Sequence, residues 1–401
     1  MGTVCWALST AGVGVSQQFW VAAFWRALNG FGLAIVIPAL QSFIADSYEE
    51  SRRGAGFGLL SFIGSVGGIG GGVVATIMAG NEFWGIPGWR CAFIFVASLS
   101  MMIGIFVFLF VDDPGRKLQF GTDKTSGRTS APLLSGKVGA KKIKSLIWVE
   151  SWEAIRSVTK VKTFQIIVLQ GIVGMLPWTA MVFFTMWFEL IGFDHSRTAG
   201  LLSLFAIGCA IGSFLGGLIA DRISLIFPNT GRVMCAQFSA FASIPFSWFL
   251  LRVVPQSVDN WNTFAVTLLL MGLTISWCST CANNPIFAEI VPSKHRTMVY
   301  AFDRAFEGSF SSFAAPAVGI LSEKLYGYDP NSVIPKTGSV QQAYALSKAL
   351  FSLMAFPWCL CCLFYTPLYV TYKQDRLDLQ DRDRRRIELS SIPVKMAEIH
   401  L

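Results

Sequence analysis

Residues 20–53 read WVAAFWRALNGFGLAIVIPALQSFIADSYEESRR. The part from 20 to 45 is almost uninterruptedly apolar. At Ala45 it gives way to a turn dense in charge, ADSYEESRR, which ends at Arg53. A helix needs about 20 apolar residues to cross the hydrocarbon core of a bilayer, so the stretch predicts a spanning helix with a turn in water behind it. The turn recurs as AEIVPSKHR, from Ala288 to Arg296: an Ala, then an acid, then an Arg seven residues after the acid. A second long apolar run, 263–288, leads into that copy. A spanning helix with its charged turn, present twice, predicts an all-α membrane protein with an internal repeat.

Working outward, ten runs are candidates for spanning helices: 1–17, 20–45, 54–78, 91–111, 165–190, 199–220, 233–251, 263–288, 299–321 and 349–370. The first is marginal in length. Hydrophobic residues make up 53% of the 401 and charged ones 14%, against about 25% charge in a soluble domain. That balance excludes a soluble enzyme, a disordered chain and a fibrous protein. A β-barrel would alternate apolar and polar residues over strands of about 10 residues, which these runs do not. The net charge of +8 resembles that of a nucleic-acid-binding protein. The basic residues lie outside the apolar runs, however, so membrane lipids with anionic headgroups are the expected partner and nucleic acid is not. Eight of the nine cysteines fall inside apolar runs. Cys278-x-x-Cys281 has the spacing of a zinc or redox pair, but with no second pair the expected role is close helix packing. His195, His295 and His400 are scattered, and neither a nucleophile elbow nor a phosphate-binding loop is present. No catalytic set, metal site or cofactor is expected.

Lys and Arg set the orientation. Arg52, Arg53, the eleven basic residues from Arg116 to Lys162, Arg222, Arg232, Lys294, Arg296 and the seven from Lys373 to Lys395 place 24 on one side, against 6 on the other. The remaining two, Arg26 and Arg304, sit within segments. The richer side is expected to be cytoplasmic, and ten spans put both termini there. Residues 112–164 then form a cytoplasmic connector. Its later part, with Leu146, Trp148, Val149, Trp152, Ile155 and Val158 among charges, predicts an amphipathic helix on the membrane surface. The tail, 371–401, predicts a solvated charged helix or a disordered end.

The two charged turns follow the second and the eighth segments, so the repeat is six segments long. Six segments follow the connector and four precede it. The expected organisation is therefore a four-helix N-terminal half (1–111), the connector (112–164), a six-helix C-terminal half (165–370) and the tail. On this count the first half is short of two leading helices, and such a chain is expected to transport poorly on its own. Internal repeats of this kind mark secondary transporters.

Several motifs resemble those of the major facilitator superfamily. RALNGFG, from Arg26 to Gly32, resembles its motif B. GGLIADR, from Gly216 to Arg222, followed by Gly231–Arg232, resembles the second-half copy of motif A, with Ser224 where Gly is usual and extra residues in the turn. VGGIGGG, from Val66 to Gly72, is similar to motif C, with Gly68 where the antiporter form has Pro. GIPGWRCAF, 85–93, and NNPIFAEIVPSKHRTMVYAFDRAFEGSFSSFAAPAVG, 283–319, resemble the plant spinster-like branch. The resemblance implies a bundle of two pseudo-repeated halves, six plus six in the family and four plus six here, that exposes a central site alternately to each side.

The same resemblance implies roles. Arg26, with Asn29 beside it in motif B, is implied in substrate or proton coupling; the alternative for Arg26 is snorkelling to the surface. A charge within a segment is costly and usually faces a cavity or a partner. Glu307 lies deep in the ninth segment and can hold a proton or a cationic group, or simply be neutralised by Arg304 three residues before it. Asp303 and Arg304, nearer the segment's cytoplasmic end, are expected to form a gate pair. Asn283-Asn284-Pro285 offers two amides beside a helix break, because Pro has no donor for the carbonyl one turn back. Segments two, five and eight line the cavity in the superfamily, which makes Gln170 and Trp178 candidate lining residues. Asp221 with Arg222, Asp46 with Arg53, and Glu289 with Arg296 sit at cytoplasmic helix ends. There a carboxylate can dock on the N-terminus of a facing helix, an Arg can pair across the two halves, and such contacts would hold an inner gate shut.

The function expected is secondary transport of a small organic solute, amphiphilic or lysolipid-like by the branch resemblance. Proton coupling and facilitated diffusion both remain open. The rival expectation is a truncated chain that acts as a membrane binding or interaction protein.

Overall fold

The computed structural model describes residues 2–79, 81–83, 85–110, 156, 158–330 and 339–391. Nearly all are helical, because a backbone within a bilayer must satisfy its own hydrogen bonds and a helix does so within one segment. In chain order the helices are α1 (Gly2–Val15), α2 (Phe19–Ser47), α3 (Arg53–Ala79) and α4 (Gly88–Phe110), then α5 (Lys162–Ile191), α6 (His195–Ile226), α7 (Gly231–Val253), α8 (Val258–Ile290), α9 (296–325), α10 (Val340–Tyr365) and α11 (Leu368–Ser391). A two-stranded hairpin, β1 (Glu82–Phe83) and β2 (Ile86–Pro87), joins α3 to α4, with Gly85 supplying the positive φ of 76° that its turn requires.

Among the described residues, eight helices are long and apolar enough to cross a membrane: α2 to α8 and α10. At 14 residues, α1 rises only about 21 Å, short of a hydrocarbon core of about 30 Å. The helix at the ninth run carries Arg296, Asp303, Arg304 and Glu307, yet it packs within the bundle against α2 and α5. The tenth helix begins at Val340 and ends at Tyr365, earlier at both ends than the run 349–370. Its first turns are polar in sequence but internally paired: Gln342 accepts from the Asp329 amide at 3.0 Å, and Ser347 accepts from Gln256 at 3.0 Å. Hydropathy alone does not register such pairs. The expected surface helix of the connector falls outside the described residues, apart from Arg156 and Val158.

The helices meet along two seams, α3 against α6 and α2 against α9. A core around Phe57, Phe164, Phe287, Tyr300, Tyr365 and Tyr372 lies at the end that carries the two repeated turns and includes residues from both sides of the seams. A second core, around Trp187, Phe188, Phe264 and Trp358, lies within α5–α10 alone. There Phe264 meets Trp187, Phe188 and Phe193 edge to face, with ring centroids 5.4–5.9 Å apart.

The seams close at one end. Gly54, Gly56, Phe57 and Gly58, in the first two turns of α3, are buried, and no described residue further along α3 is. A Cβ on Gly58 would meet Ser213 O at 2.9 Å, and one on Gly54 would meet Gly217 O at 2.6 Å. Two small-residue faces thus bring the backbones of α3 and α6 together at the turn end. Towards the other end α3 makes no comparably close approach.

Candidate functional site

Two polar constellations stand out, an ionic network at the turn end and a cavity deeper in the bundle. The network is centred on Arg232, which is 2% exposed. It pairs with Asp221 at 2.9 Å and with Glu289 at 3.2 Å. It also donates to the carbonyl oxygens of Glu50 at 2.8 Å and Cys281 at 3.4 Å. The Cys281 carbonyl is available for a local reason: Pro285, four residues on, has no N–H to give it. The chain there runs through a π-helical stretch, Ser279–Asn283, a form common where a helix is interrupted at a functional position.

Asp221 reaches across the seam. Its carboxylate accepts from the amides of Gly54 at 2.9 Å and Ala55 at 2.7 Å, the first turn of α3, where free N–H groups and the helix dipole favour an anion. Arg222, also expected among the gate residues, is exposed and takes no part. Consecutive helical residues project about 100° apart, so both cannot face one seam, and Arg232 from the next helix fills the role.

The repeated turns behave alike in one respect. Arg53 donates to the Ala45 carbonyl at 3.2 Å, and Arg296 to the Ala288 carbonyl at 2.6 Å. Their acids diverge. Asp46 receives Arg296 from across the α2–α9 seam, whereas Glu289 receives Arg232 and the hydroxyl of Tyr372. Tyr372 and Arg376 lie on α11, beyond the last span, where the sequence suggested a solvated charged helix or a disordered end; the helix forms, and these two residues face the network. Burial and the neighbouring Glu289 push the Tyr372 phenol well above its ordinary range, so it stays a donor. Arg376 pairs with Glu50 and donates to Pro228 O at 3.1 Å. Asp375 accepts from the Thr163 amide at 2.8 Å, capping α5. Gln41, also unmarked in the sequence reading, joins α2 to α8 through Asn284 at 3.2 Å.

The cavity, about 200 Å³, lies among α5, α7, α8, α9 and α10. Gln170, Trp178, Asn283, Arg304, Glu307 and Trp358 line it, with Cys278 and Cys361. A relay fixes its polar wall: Asn283 donates to Gln170 at 3.0 Å and accepts from Tyr365 at 2.9 Å, and Gln170 donates to the Cys361 sulfur at 3.0 Å. Glu307 pairs with Arg304 at 3.4 Å and lies against the bare backbone of Gly171, where a Cβ would overlap its carboxylate. The expected Asp303–Arg304 pair is not formed, since adjacent helical residues diverge. Asp303 is 4% exposed, and its Oδ1 has no hydrogen-bond partner.

Two further candidates lie apart from the cavity. Asn29 ties α2 to α1, donating to Thr10 at 2.8 Å. Arg26 is exposed on α2.

The family model for the Major Facilitator Superfamily matches residues 1–316. A curated relative, the probable sphingolipid transporter spinster homolog 1 of Arabidopsis thaliana, is 26% identical over 268 residues, 63% of this chain and 52% of its own length. The chain therefore spans about half the length of that relative. Among solved structures, a bacterial homolog of the human lysosomal transporter Spinster, inward-facing and unoccupied, superposes with a TM-score of 0.51 at 17% identity, covering 94% of this chain and 83% of its own. The proton:xylose symporter XylE superposes with a TM-score of 0.55 at 13% identity, covering 90% and 78%. These likenesses establish the fold, and the curated relative points to the spinster-like branch.

Proposed function

The chain belongs to the major facilitator superfamily, and on that premise we propose that it serves as a secondary transporter working by alternating access on an amphiphilic, lysolipid-like solute. One observation carries the reading. The two seams are tied by charge at the turn end, through Asp221 with Gly54 and Ala55 and through Asp46 with Arg296, while a polar cavity lies deeper. Such contacts support the reading of a gate shut on one side of a site.

The basic side is cytoplasmic on the charge rule, so both the gate and α11 face the cytoplasm. In the cavity Gln170 and Asn283 would orient polar groups, Trp178 would stack on apolar ones, and Glu307 with Arg304 would meet a charged headgroup or exchange a proton. Arg26, exposed on α2 and apart from this cavity, has no part in holding the solute there. Asn29 and Asn284 hold helices together. The name of the Arabidopsis relative supports an amphiphile over a sugar.

The test is uptake of a radiolabelled lysophospholipid into liposomes by the protein isolated from its native membrane. Saturable uptake, driven by a proton gradient and lost in Glu307→Gln at normal folded yield, is the expected outcome. Uptake no faster than in protein-free liposomes removes the transport reading. Uptake with an unchanged pH profile in Glu307→Gln removes the proton role alone.

A further inference from the structure

A second cavity, about 760 Å³, opens on the turn face between the approach to α5, the second repeated turn and α11. It lies at the level of the gate, apart from the deep cavity, and plays no part in the proposed transport cycle. Its floor is apolar, formed by Val158, Ile290 and Leu379. Its rim carries Arg156, Lys160, Lys162 and Arg382, and none of these four side chains has an ion pair or hydrogen bond to another described residue. Two carboxylates share the rim, and one of them, Asp375, is committed to the Thr163 amide at 2.8 Å. Among the described residues, these four cations, from two elements over an apolar floor, outnumber the two rim carboxylates, Asp375 and Asp378. Its volume falls within the usual range for small-ligand sites. Lys162 opens a spanning helix and Ile290 closes another, which sets the rim at headgroup depth.

We propose that this cavity binds a phosphorylated anion, either the headgroup of an anionic lipid or a soluble organic phosphate, through Arg156, Lys160, Lys162 and Arg382. Arg presents a planar fork to phosphate oxygens, and Lys a point charge. Basic pockets between membrane helices at the cytoplasmic face suit such headgroups. The two walls are already joined by Asp375 and Thr163, so a bound phosphate adds a bridge between the same elements and should raise thermal stability.

The test titrates the full chain, in phosphatidylcholine nanodiscs, with dioctanoyl phosphatidylinositol 4-phosphate, following retention by native mass spectrometry and the shift in Tm. Binding that weakens with added salt is expected, with affinity reduced at least about tenfold in Lys160→Glu/Lys162→Glu and unchanged in Lys324→Glu, on the opposite face. If the double variant folds poorly, Arg382→Gln is read instead and should weaken binding by several-fold. Competition by inositol phosphate alone assigns the site to a soluble phosphate. Failure of that competition, with the lipid still bound, assigns it to a headgroup. Equal retention of dioctanoyl phosphatidylcholine, or unaltered affinity in a folded Arg382→Gln or double variant, overturns the proposal.

Discussion

Asp221→Asn should open the turn end of the α3–α6 seam without unfolding the protein. The carboxylate makes two bonds across the seam, to the amides of Gly54 and Ala55, and these exist only while the seam is closed. An Asn keeps one acceptor oxygen and turns an NH₂ group towards the other amide, so one bond to a charged group is lost outright. Such a bond contributes about 1.5–3 kcal/mol, and the lost charge at a helix N-terminus about 0.3–1 kcal/mol more. The closed state should therefore lose about 2–4 kcal/mol, a shift of roughly 30- to 700-fold in the closed-to-open ratio. The Asp221–Arg232 pair fares differently, because Arg232 retains Glu289 at 3.2 Å and is not left as an unmatched buried cation. Folded yield should hold. Spin labels at Arg52→Cys and Arg222→Cys, both exposed and on opposite sides of the seam, report the change by double electron–electron resonance. A population at longer distance should appear in the variant. An unaltered distance distribution in well-folded Asp221→Asn would refute the assignment of these bonds as a gate.

Gly217→Ala should reproduce that shift by steric means. Its Cβ would overlap the carbonyl oxygen of Gly54, which is backbone and cannot turn aside, at a cost of about 1–3 kcal/mol to the closed state; an unchanged spin-label distance counts against the close seam. Tyr372→Phe removes the donor to Glu289 and should lower stability by about 1–3 kcal/mol, seen as a fall in Tm. Because burial raises the folded-state value of the phenol above its ordinary 10.0, the stabilisation is complete below about pH 10 and is lost as pH rises through the folded value. Tm should therefore decline above about pH 10 in the wild type more than in Tyr372→Phe, and parallel curves would contradict the buried Tyr372–Glu289 bond.

The helical plan was legible because hydropathy records burial in lipid directly. Every long apolar run became a helix, most with ends within about four residues of the run. The tenth helix strayed further because its early turns are polar yet internally paired, and pairing leaves no mark on a hydropathy scale. The charged turns were legible as a repeat, and so was the docking of a helix-end carboxylate on a facing N-terminus, which Asp221 makes on α3; which Arg meets which acid was not. Spacing placed Asp221 beside Arg222, and only the geometry of a helix, 100° per residue, separates them and brings Arg232 in from α7. Arg304 pairs with Glu307, one of the readings its three-residue spacing offered, and not with Asp303. The contribution of α11 was illegible, since KQDRLDLQDRDRRR has the composition of a solvated helix or tail, and only contact with Glu50, Glu289 and Thr163 brings Tyr372, Asp375 and Arg376 into the polar network at the turn end.

The repeat, finally, is conserved in shape between its two copies and divided in task. Each Arg folds back on its own Ala carbonyl, which sets the turn. The acids then part company, because the second copy has neighbours that the first lacks: Arg232 from α7 and Tyr372 from α11. Opening the seams would break Asp46–Arg296, Gln41–Asn284, the Asp221 cap and the two contacts to Glu50, all of which cross between α1–α4 and the rest. Arg232, Glu289 and Tyr372 all lie on one side and would travel together. Removing the partner of a buried charge costs about 3–5 kcal/mol, so a gate that stranded Glu289 on each opening would be held too firmly shut to cycle. With its counter-ion and donor on its own side, Glu289 stays neutralised in both states. The cost of opening then falls on the seam-crossing bonds, whose groups at the turn end pass into water as the seam parts.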